Sequence, residues 1–301
     1  MGEKNHQHHP GFRKALVVFN PTAGRGRQRR LESVINGLGR MGCRYELFRT
    51  ILGGDAEKAA QRAAGQDFDL IVAAGGDGTV NEVVNGLASV KSHLPVAFLP
   101  LGTANVLAAE IGLSTKPQAF LRMLASPHLR TIRLGLVGGR HFLLMASAGL
   151  DATVVRGVDL TLKRRTGQMA YAIEAIRQTL SYDFPEFNLT IDGGRYSARM
   201  AVICRARCYG GPFQLAPRAN LGDPNFQVVL LPDSGKSAAL RYGIGLITGR
   251  LPVMEGVQIV AGSDIEIDGP LGAPLQADGD LIGTLPAKIT IAEPTICLVT
   301  P

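Results

Sequence analysis

The stretch "IVAAGGDGTVNE", Ile71 to Glu82, sets four apolar residues before Gly75, Gly76, Asp77, Gly78 and Thr79. A strand end built of glycines turns sharply and exposes its backbone N–H groups, with no Cβ to block an approaching phosphate. A helix that follows aims its first N–H groups and its positive dipole end at the same point. Asp77 would repel a phosphate unless a cation such as the Mg²⁺ of a nucleotide lies between them, or unless local hydrogen bonds hold its carboxylate. Thr79 adds a hydroxyl and Asn81 an amide. The same residues also describe a tight strand-to-helix turn in which Asp77 only caps the helix, so this turn alone leaves both readings open.

Two further segments repeat the design. "PLGTANVLA", Pro100 to Ala108, offers Gly102 for close approach, with Thr103 and Asn105 as polar side chains at a helix start. "NPTAGRGRQRR" places Asn20 and Gly24 near a turn and adds Arg25, Arg27, Arg29 and Arg30, which attract anions. There is no GxxxxGK[ST] loop, and no GxGxxG opens a helix after the first strand, so a nucleotide site here is of another kind.

The elements that must position these turns follow from hydropathy. "KALVVF" before Asn20, "RYELFRT" ending near Thr50, "DLIVAAG" and "PVAFLPLG" read as strands. Helices are expected from Arg27 to Met41, from Asp55 as cap to about Gly65, from Asn81 to Ser89, and over "TANVLAAEIGL". Strand and helix alternate over the first 125 residues or so, which predicts a mainly parallel α/β sheet and puts all three turns at the carboxyl ends of strands. From Thr131 on, apolar runs separated by Gly, Pro, Asn and Asp predict a largely antiparallel, β-sandwich-like part. Helices are expected to interrupt it near Thr166 to Leu180 and Lys236 to Thr248. The expected organisation is a disordered tail over 1–12, an α/β nucleotide-binding domain over 13–130 and a β-rich domain over 131–286.

Composition narrows the class. The 301 residues are 46% hydrophobic and 19% charged, with a net charge of +7 that favours anionic partners. Nucleic acid is not expected, because aromatic residues are only 6%, Trp is absent and the arginines lack interleaved aromatics. Cys43, Cys204, Cys208 and Cys297 form no CxxC pair and read as free thiols of a reducing cytosol. The opening "MGEKNHQHHPGFRK" has no apolar core for a signal sequence, and "NLT" at Asn188 carries no weight without one. Leu94 to Gly112 is broken by Pro95, Pro100, Gly102 and Asn105 and does not read as a membrane span. A cytoplasmic location with peripheral membrane contact is the expectation.

Taken together, these residues resemble the diacylglycerol kinase catalytic-domain family, which includes bacterial soluble lipid kinases and the sphingosine and ceramide kinases. The resemblance rests on "NPTAG", Thr50 before "GGDA", "GGDGTVNEVVNGL" at Gly75 to Leu87, "PLGTANVLA", "SAGLDATVV" at Ser147 to Val155, "GGPFQLAPRANLGDPNFQVVLL" at Gly210 to Leu231, and "QADGD". It implies an N-terminal nucleotide domain of the NAD kinase and phosphofructokinase kind, completed by a C-terminal strand at about 287–301. A lipid-binding sandwich follows, with ATP and a lipid hydroxyl meeting in the cleft.

The ATP contacts it implies are Asn20, Pro21, Thr22, Ala23, Gly24, Thr50, Gly75, Gly76, Asp77, Gly78, Thr79, Val80, Asn81, Glu82, Gly102, Thr103 and Asn105. It implies a Mg²⁺ site at Asn220, Asp223 and Asn225, with the Asp223 carboxylate and the other two main-chain carbonyls as ligands. The chain reads Asp223-Pro224 where many relatives read Asp-Gly, and Val106 stands where the family's GTxND has an acid. The family's Asp-Gly-Glu is "DGD" here, so the proton acceptor is Asp280, one methylene shorter, with Asp278 as the alternative.

The expected reaction is transfer of the γ-phosphoryl group of ATP to a diacylglycerol-like or sphingoid lipid, with Mg²⁺ positioned with help from Asp77. The expected partners are the lipid and an anionic membrane surface, touched through a basic face including Lys163, Arg164 and Arg165; a homodimer is left open. Phosphorylation of a soluble dinucleotide, as by NAD kinase, and a non-catalytic lipid- or nucleotide-binding regulator are the alternatives.

Overall fold

The computed structural model describes residues 11–22, 26–158 and 168–301. Ala23, Gly24 and Arg25, residues 1–10 of the expected tail, and the basic run Lys163, Arg164 and Arg165 lie outside the described residues.

The first half alternates β1 (Lys14–Phe19), α1 (Arg27–Arg40), β2 (Arg44–Arg49), α2 (Asp55–Ala63), β3 (Leu70–Gly75), α3 (Asp77–Ser89), β4 (Val96–Pro100), α4 (Val106–Glu110) and α5 (Pro117–Ala125). β3, "LIVAAG", is buried along its whole length, as a strand covered by helices on both faces must be. α1 buries Leu31, Val34 and Leu38, and α2 buries Ala56, Ala59, Ala60 and Ala63, each a helical stripe against the sheet.

β1 pairs in parallel with both β2 and β3, and β3 with β4, giving the order β2-β1-β3-β4. The chain therefore leaves β1 toward one side and returns to the other. The loops after β1 and β3 flank that switch point, the place where open α/β sheets leave a ligand crevice.

The remaining strands are β5 (His128–Val137), β6 (Arg140–Phe142), β7 (Met145–Ala148), β8 (Phe187–Ile191), β9 (Gly194–Ala198), β10 (Met200–Cys204), β11 (Cys208–Tyr209), β12 (Phe213–Gln214) and β13 (Phe226–Leu231). They continue with β14 (Gln258–Gly262), β15 (Asp264–Asp268), β16 (Pro274–Ala277), β17 (Asp280–Thr284) and the long β18 (Ala287–Thr300). Helices α6 (Leu150–Gly157), α7 (Gln168–Ser181) and α8 (Lys236–Ile247) interrupt them.

The first sheet does not end at β4. β18 runs parallel to β4 at Leu298↔Val96, then antiparallel to β5 and β15, and β8 and β9 complete a ten-stranded sheet. The second sheet, β14-β13-β10-β7-β16-β17, is antiparallel throughout. Phe187, Leu189, Ile191, Ile265 and Ile289 from the first sheet meet Ile203, Phe226, Val228 and Leu275 from the second in one apolar core. This is the sandwich expected from the alternating runs.

Two local expectations change. α3 begins at Asp77, four residues before Asn81, so the glycine-rich segment is itself the first helical turn. Asp55 does not cap α2; Gly54 occupies that position, and the Asp55 carboxylate accepts the N–H groups of Ile51 and Leu52 instead, at 2.8 Å each. The described residues contain no helix long and apolar enough to cross a membrane.

Candidate active site

The three turns meet at the switch point. The Asn20 amide Nδ2 donates to Thr79 Oγ1 at 3.3 Å, and its Oδ1 accepts the Thr22 N–H and hydroxyl at 2.9 and 2.8 Å. The N–H groups of Leu101 and Gly102 both donate to the Gly75 carbonyl, fastening the turn after β4 to the turn after β3. Thr50, buried at the end of β2, donates its N–H to Phe19. Thr103 is exposed at the rim.

The glycines serve purposes that differ from one another. A Cβ on Gly102 would stand 2.7 Å from Gly76 Cα, and one on Gly75 would strike the Thr79 side chain. A Cβ on Gly78 would meet open space. Free approach of a ligand is thus the argument for Gly78, while Gly102 is needed because the two turns pack on each other and Gly75 because Thr79 of its own turn folds back over it. Gly102→Ala is expected to lower stability by about 1–3 kcal/mol, because backbone cannot retreat as a side chain can. Urea unfolding of the two proteins measures it.

Asp77 does not cap its own helix. Its two carboxylate oxygens accept the N–H groups of Val106 and Leu107 at 3.0 and 3.1 Å, so it caps α4 across the crevice. A carboxylate engaged in this way clasps two turns and is not free to ligate a metal as its main task. Burial raises its pKa and these backbone donors oppose the rise. Next to it, Asn105 takes a left-handed conformation at φ 47 and donates Nδ2 to the Gly102 carbonyl at 2.7 Å. Its Oδ1 is buried and has no donor among the described residues.

Two of the residues implied as nucleotide contacts face elsewhere. Val80 is wholly buried in the apolar core, and Glu82 accepts the Ala56 N–H at 3.1 Å, capping α2. A helix presents only one side to the crevice, and positions 80 and 82 lie off it.

Asn81, by contrast, reaches the other half of the molecule. Its Nδ2 donates to Asp278 Oδ2 at 3.0 Å, and one turn later Asn85 bonds the His141 carbonyl and N–H, each at 3.0 Å. Asp278, at φ 49 in the turn between β16 and β17, also accepts the N–H groups of Leu143, Leu144 and Met145 at 2.6, 2.8 and 3.0 Å. Four donors hold one carboxylate. Asp280, two residues on, is exposed at the start of β17, and among the described residues its carboxylate has no donor.

Burial pushes Asp278 up to about 6 against those backbone donors, and the Asp77 carboxylate adds to the rise. Between the ordinary 3.8 and about 6, the folded chain holds a proton that the unfolded chain has released. Stability from this group is therefore full below 3.8 and lost as pH rises through about 6. From about pH 4 to about pH 7 the native chain is expected to lose up to about 3 kcal/mol relative to Asp278→Asn in urea titrations.

Sequence reasoning passed over the support beneath this turn. Gly279 N–H donates to Gln276 Oε1 at 2.9 Å, and Gln276 Nε2 donates to Ser147 Oγ and Asp151 Oδ2 at 2.8 and 2.9 Å. The Ser147 and Tyr209 hydroxyls both donate to Asp151. The signal was an acid with two hydroxyl residues, Ser147 and Thr153, in the otherwise apolar "SAGLDATVV".

Residues 14–137 match the family described as diacylglycerol kinase catalytic domain, and residues 145–300 match the one described as YegS C-terminal NAD kinase beta sandwich-like domain. The chain belongs to the diacylglycerol kinase catalytic-domain family. It is 28% identical to a diacylglycerol kinase of Bacillus subtilis (strain 168), covering 92% of this chain and 93% of that one. With a diacylglycerol kinase of Staphylococcus aureus (strain MRSA252) it shares 26% identity over 93% of this chain and 90% of the relative. The crystal structure of a diacylglycerol kinase from Bacillus anthracis str. Sterne superposes with a TM-score of 0.80 at 23% identity, covering 96% of this chain and 97% of that one. Another solved chain from the same organism gives 0.84 at 24% identity, covering 100% of this chain and 99% of that one, and both show the shared fold.

The loop for which the family resemblance implies a Mg²⁺ ion is built differently. The Asn225 carbonyl, one implied ligand, accepts Arg205 Nη1 at 2.6 Å. The Asn220 carbonyl, another, accepts the Asp223 N–H at 3.1 Å, and the Asn220 side chain takes the Arg130 guanidinium and the Gly222 N–H. Asp223 itself is exposed. The Asn225 carbonyl is taken up by the buried Arg205 guanidinium, whose positive charge repels a second cation at that ligand, so these residues do not fit that ion.

Proposed function

We propose that this diacylglycerol kinase family member transfers the γ-phosphoryl group of ATP to a hydroxyl of a diacylglycerol-like or sphingoid lipid. The observation that carries the reading is the Asn81–Asp278 bond, which holds the "DGD" turn with its exposed Asp280 against α3 just past its glycine-rich first turn. A proton acceptor thereby stands beside a glycine-rich helix start suited to phosphate.

The residues present fit a nucleotide. A cavity of ≈ 550 Å³ lined by Phe19, Pro21, Gly26, Arg27, Gln28 and Arg29 opens beside the crevice, within the size range of small-molecule sites. Asn105 Oδ1, which has no donor among the described residues, is an acceptor that a nucleotide's amino or hydroxyl group can satisfy. A Mg²⁺ ion travelling with the phosphates would neutralise charge that develops on them. Asp77 sets the distance between the two turns that receive the phosphates. Asp280 takes the acceptor hydroxyl's proton, and Asp278 holds the turn. Residues 13–130 with 287–301 act as the nucleotide unit, and 131–286 act as the lipid unit.

Peripheral membrane contact is part of this reading. α8 buries Ala238, Tyr242 and Gly245 on one side and exposes Leu240, Ile244 and Ile247 on the opposite side. α7, packed beside it, exposes Ile173, Ile176 and Leu180, and Val253 just beyond α8 is 84% exposed. Lys236, Arg241 and Arg250 flank this face, with Asp233 paired to Arg241 and Glu255 beyond. An apolar face with basic neighbours suits a bilayer surface with anionic headgroups. Leu240→Gln, Ile244→Gln and Ile247→Gln together are expected to weaken flotation with phosphatidylglycerol vesicles by about 10- to 100-fold, at about 1 kcal/mol per partly buried side chain. Turnover of a short-chain lipid dissolved as monomers stays unchanged.

The deciding experiment follows radiolabelled γ-phosphate from ATP into a mixed panel of diacylglycerol, monoacylglycerol, sphingoid base, ceramide and phosphatidylglycerol, with NAD as a soluble control. Label in one lipid class supports the reading and names the acceptor. Label in NAD alone, or ATP bound with no label transferred, overturns it.

A further inference from the structure

We propose that the Arg205 guanidinium does in this chain the work of a divalent cation at the Asn220–Asn225 loop, so that the loop keeps its shape without bound metal. Hard cations are held by main-chain carbonyls and carboxylates converging on one point. Here three main-chain carbonyls surround a side chain instead, one of them belonging to the implied ligand Asn225. Arg205 is 0% exposed, and its Nε, Nη1 and Nη2 donate to the carbonyls of Arg133, Asn225 and Leu221 at 3.2, 2.6 and 2.6 Å. The Asp223 carboxylate lies close enough to act on its charge.

A guanidinium suits this place because its planar fork spreads several donors over separate acceptors. Its carbon stands 5.6 Å from the centre of the Phe226 ring, so an aromatic face covers part of the charge that burial strips of water. The Arg133 N–H adds a bond of 2.8 Å to the Leu221 carbonyl. Arg133 belongs to β5 of the first sheet, Arg205 follows β10 of the second, and the loop leads into β13. The guanidinium thus bolts the loop to both sheets at their junction. A dication on the Asn225 carbonyl would sit beside a buried positive charge and be repelled.

Pro224 fits the same account. Where a loop is shaped by a protein side chain, the residue after Asp223 no longer has to adapt to an ion, and a fixed φ costs little.

The test uses the full chain without nucleotide, dialysed against EDTA, and follows thermal unfolding with and without millimolar Mg²⁺ or Ca²⁺, alongside Asp223→Asn and Arg205→Ala. Bound metal is counted by elemental analysis. The expected result is that the native chain retains no ion and unfolds at the same temperature in all buffers, as does Asp223→Asn. Arg205→Ala, which opens a space among the same carbonyls, is expected to unfold several degrees lower and to regain stability with the cation. Should Arg205→Ala fail to fold, the native chain and Asp223→Asn decide alone. One ion retained per native chain, or native stabilisation by the cation that Asp223→Asn abolishes, overturns the proposal.

Discussion

Asp280→Asn is expected to lower phosphoryl transfer to lipid by about 10²- to 10⁴-fold, the usual worth of a positioned general base. The side chain is exposed and carries no internal hydrogen bond among the described residues, so the amide removes proton affinity and little else. Two measurements isolate that effect. ATP affinity should be unchanged, because the nucleotide turns are held by Asn20, Asp77 and Gly102 and not by Asp280. The urea midpoint should be unchanged as well, since an exposed acid-to-amide change leaves stability within about 0.5 kcal/mol. Full activity in Asp280→Asn would move the proton acceptor elsewhere in the turn. Asp280→Glu is the informative companion, because it restores the family's longer acid and should retain most of the rate.

Asp278→Ala is expected to fail in a different way, by loss of about 3–5 kcal/mol of stability. Three backbone N–H groups and the Asn81 amide all converge on this carboxylate, and truncation strands them together. Each unsatisfied buried donor costs about 1–3 kcal/mol, and water entering the vacated space recovers part of the sum. The turn that carries Asp280 also loses its tether to α3, and a displacement of about 1 Å can slow chemistry by about 100-fold. A lower urea midpoint together with a lower rate identifies Asp278 as a positioning residue. An unchanged midpoint with abolished turnover would instead return it to the role of base.

The difference between these two aspartates was not readable from their spacing. "ADGD" offers two acids with one glycine between them, and only the fold gives one of them four donors and leaves the other bare. The same limit applied to Asp77 and Glu82. Both sit in the quoted glycine-rich motif, yet their partners, Val106, Leu107 and Ala56, lie more than twenty residues away along the chain. Hydropathy periods are local and were legible: β3 as a buried run, the alternation through β4, and the sandwich from its alternating strands. Arg205 gave no warning, because an arginine after an apolar strand ordinarily points to solvent. Its burial becomes visible only once three carbonyls from two other segments are brought around it.

β18 has a consequence for how the molecule is made. The strand that lies beside β4 in the sheet is the last of the elements along the chain, almost two hundred residues behind the strand it borders. As the polypeptide leaves the ribosome from its amino end, β1 to β4 emerge early and then wait with the open flank of β4 unpaired. The half that holds the glycine turns is therefore closed only after β18, far along the chain, has been made. A nascent chain stalled before Ala287 would expose a sticky strand edge, which makes chaperone dependence and aggregation of truncated products a property of this topology.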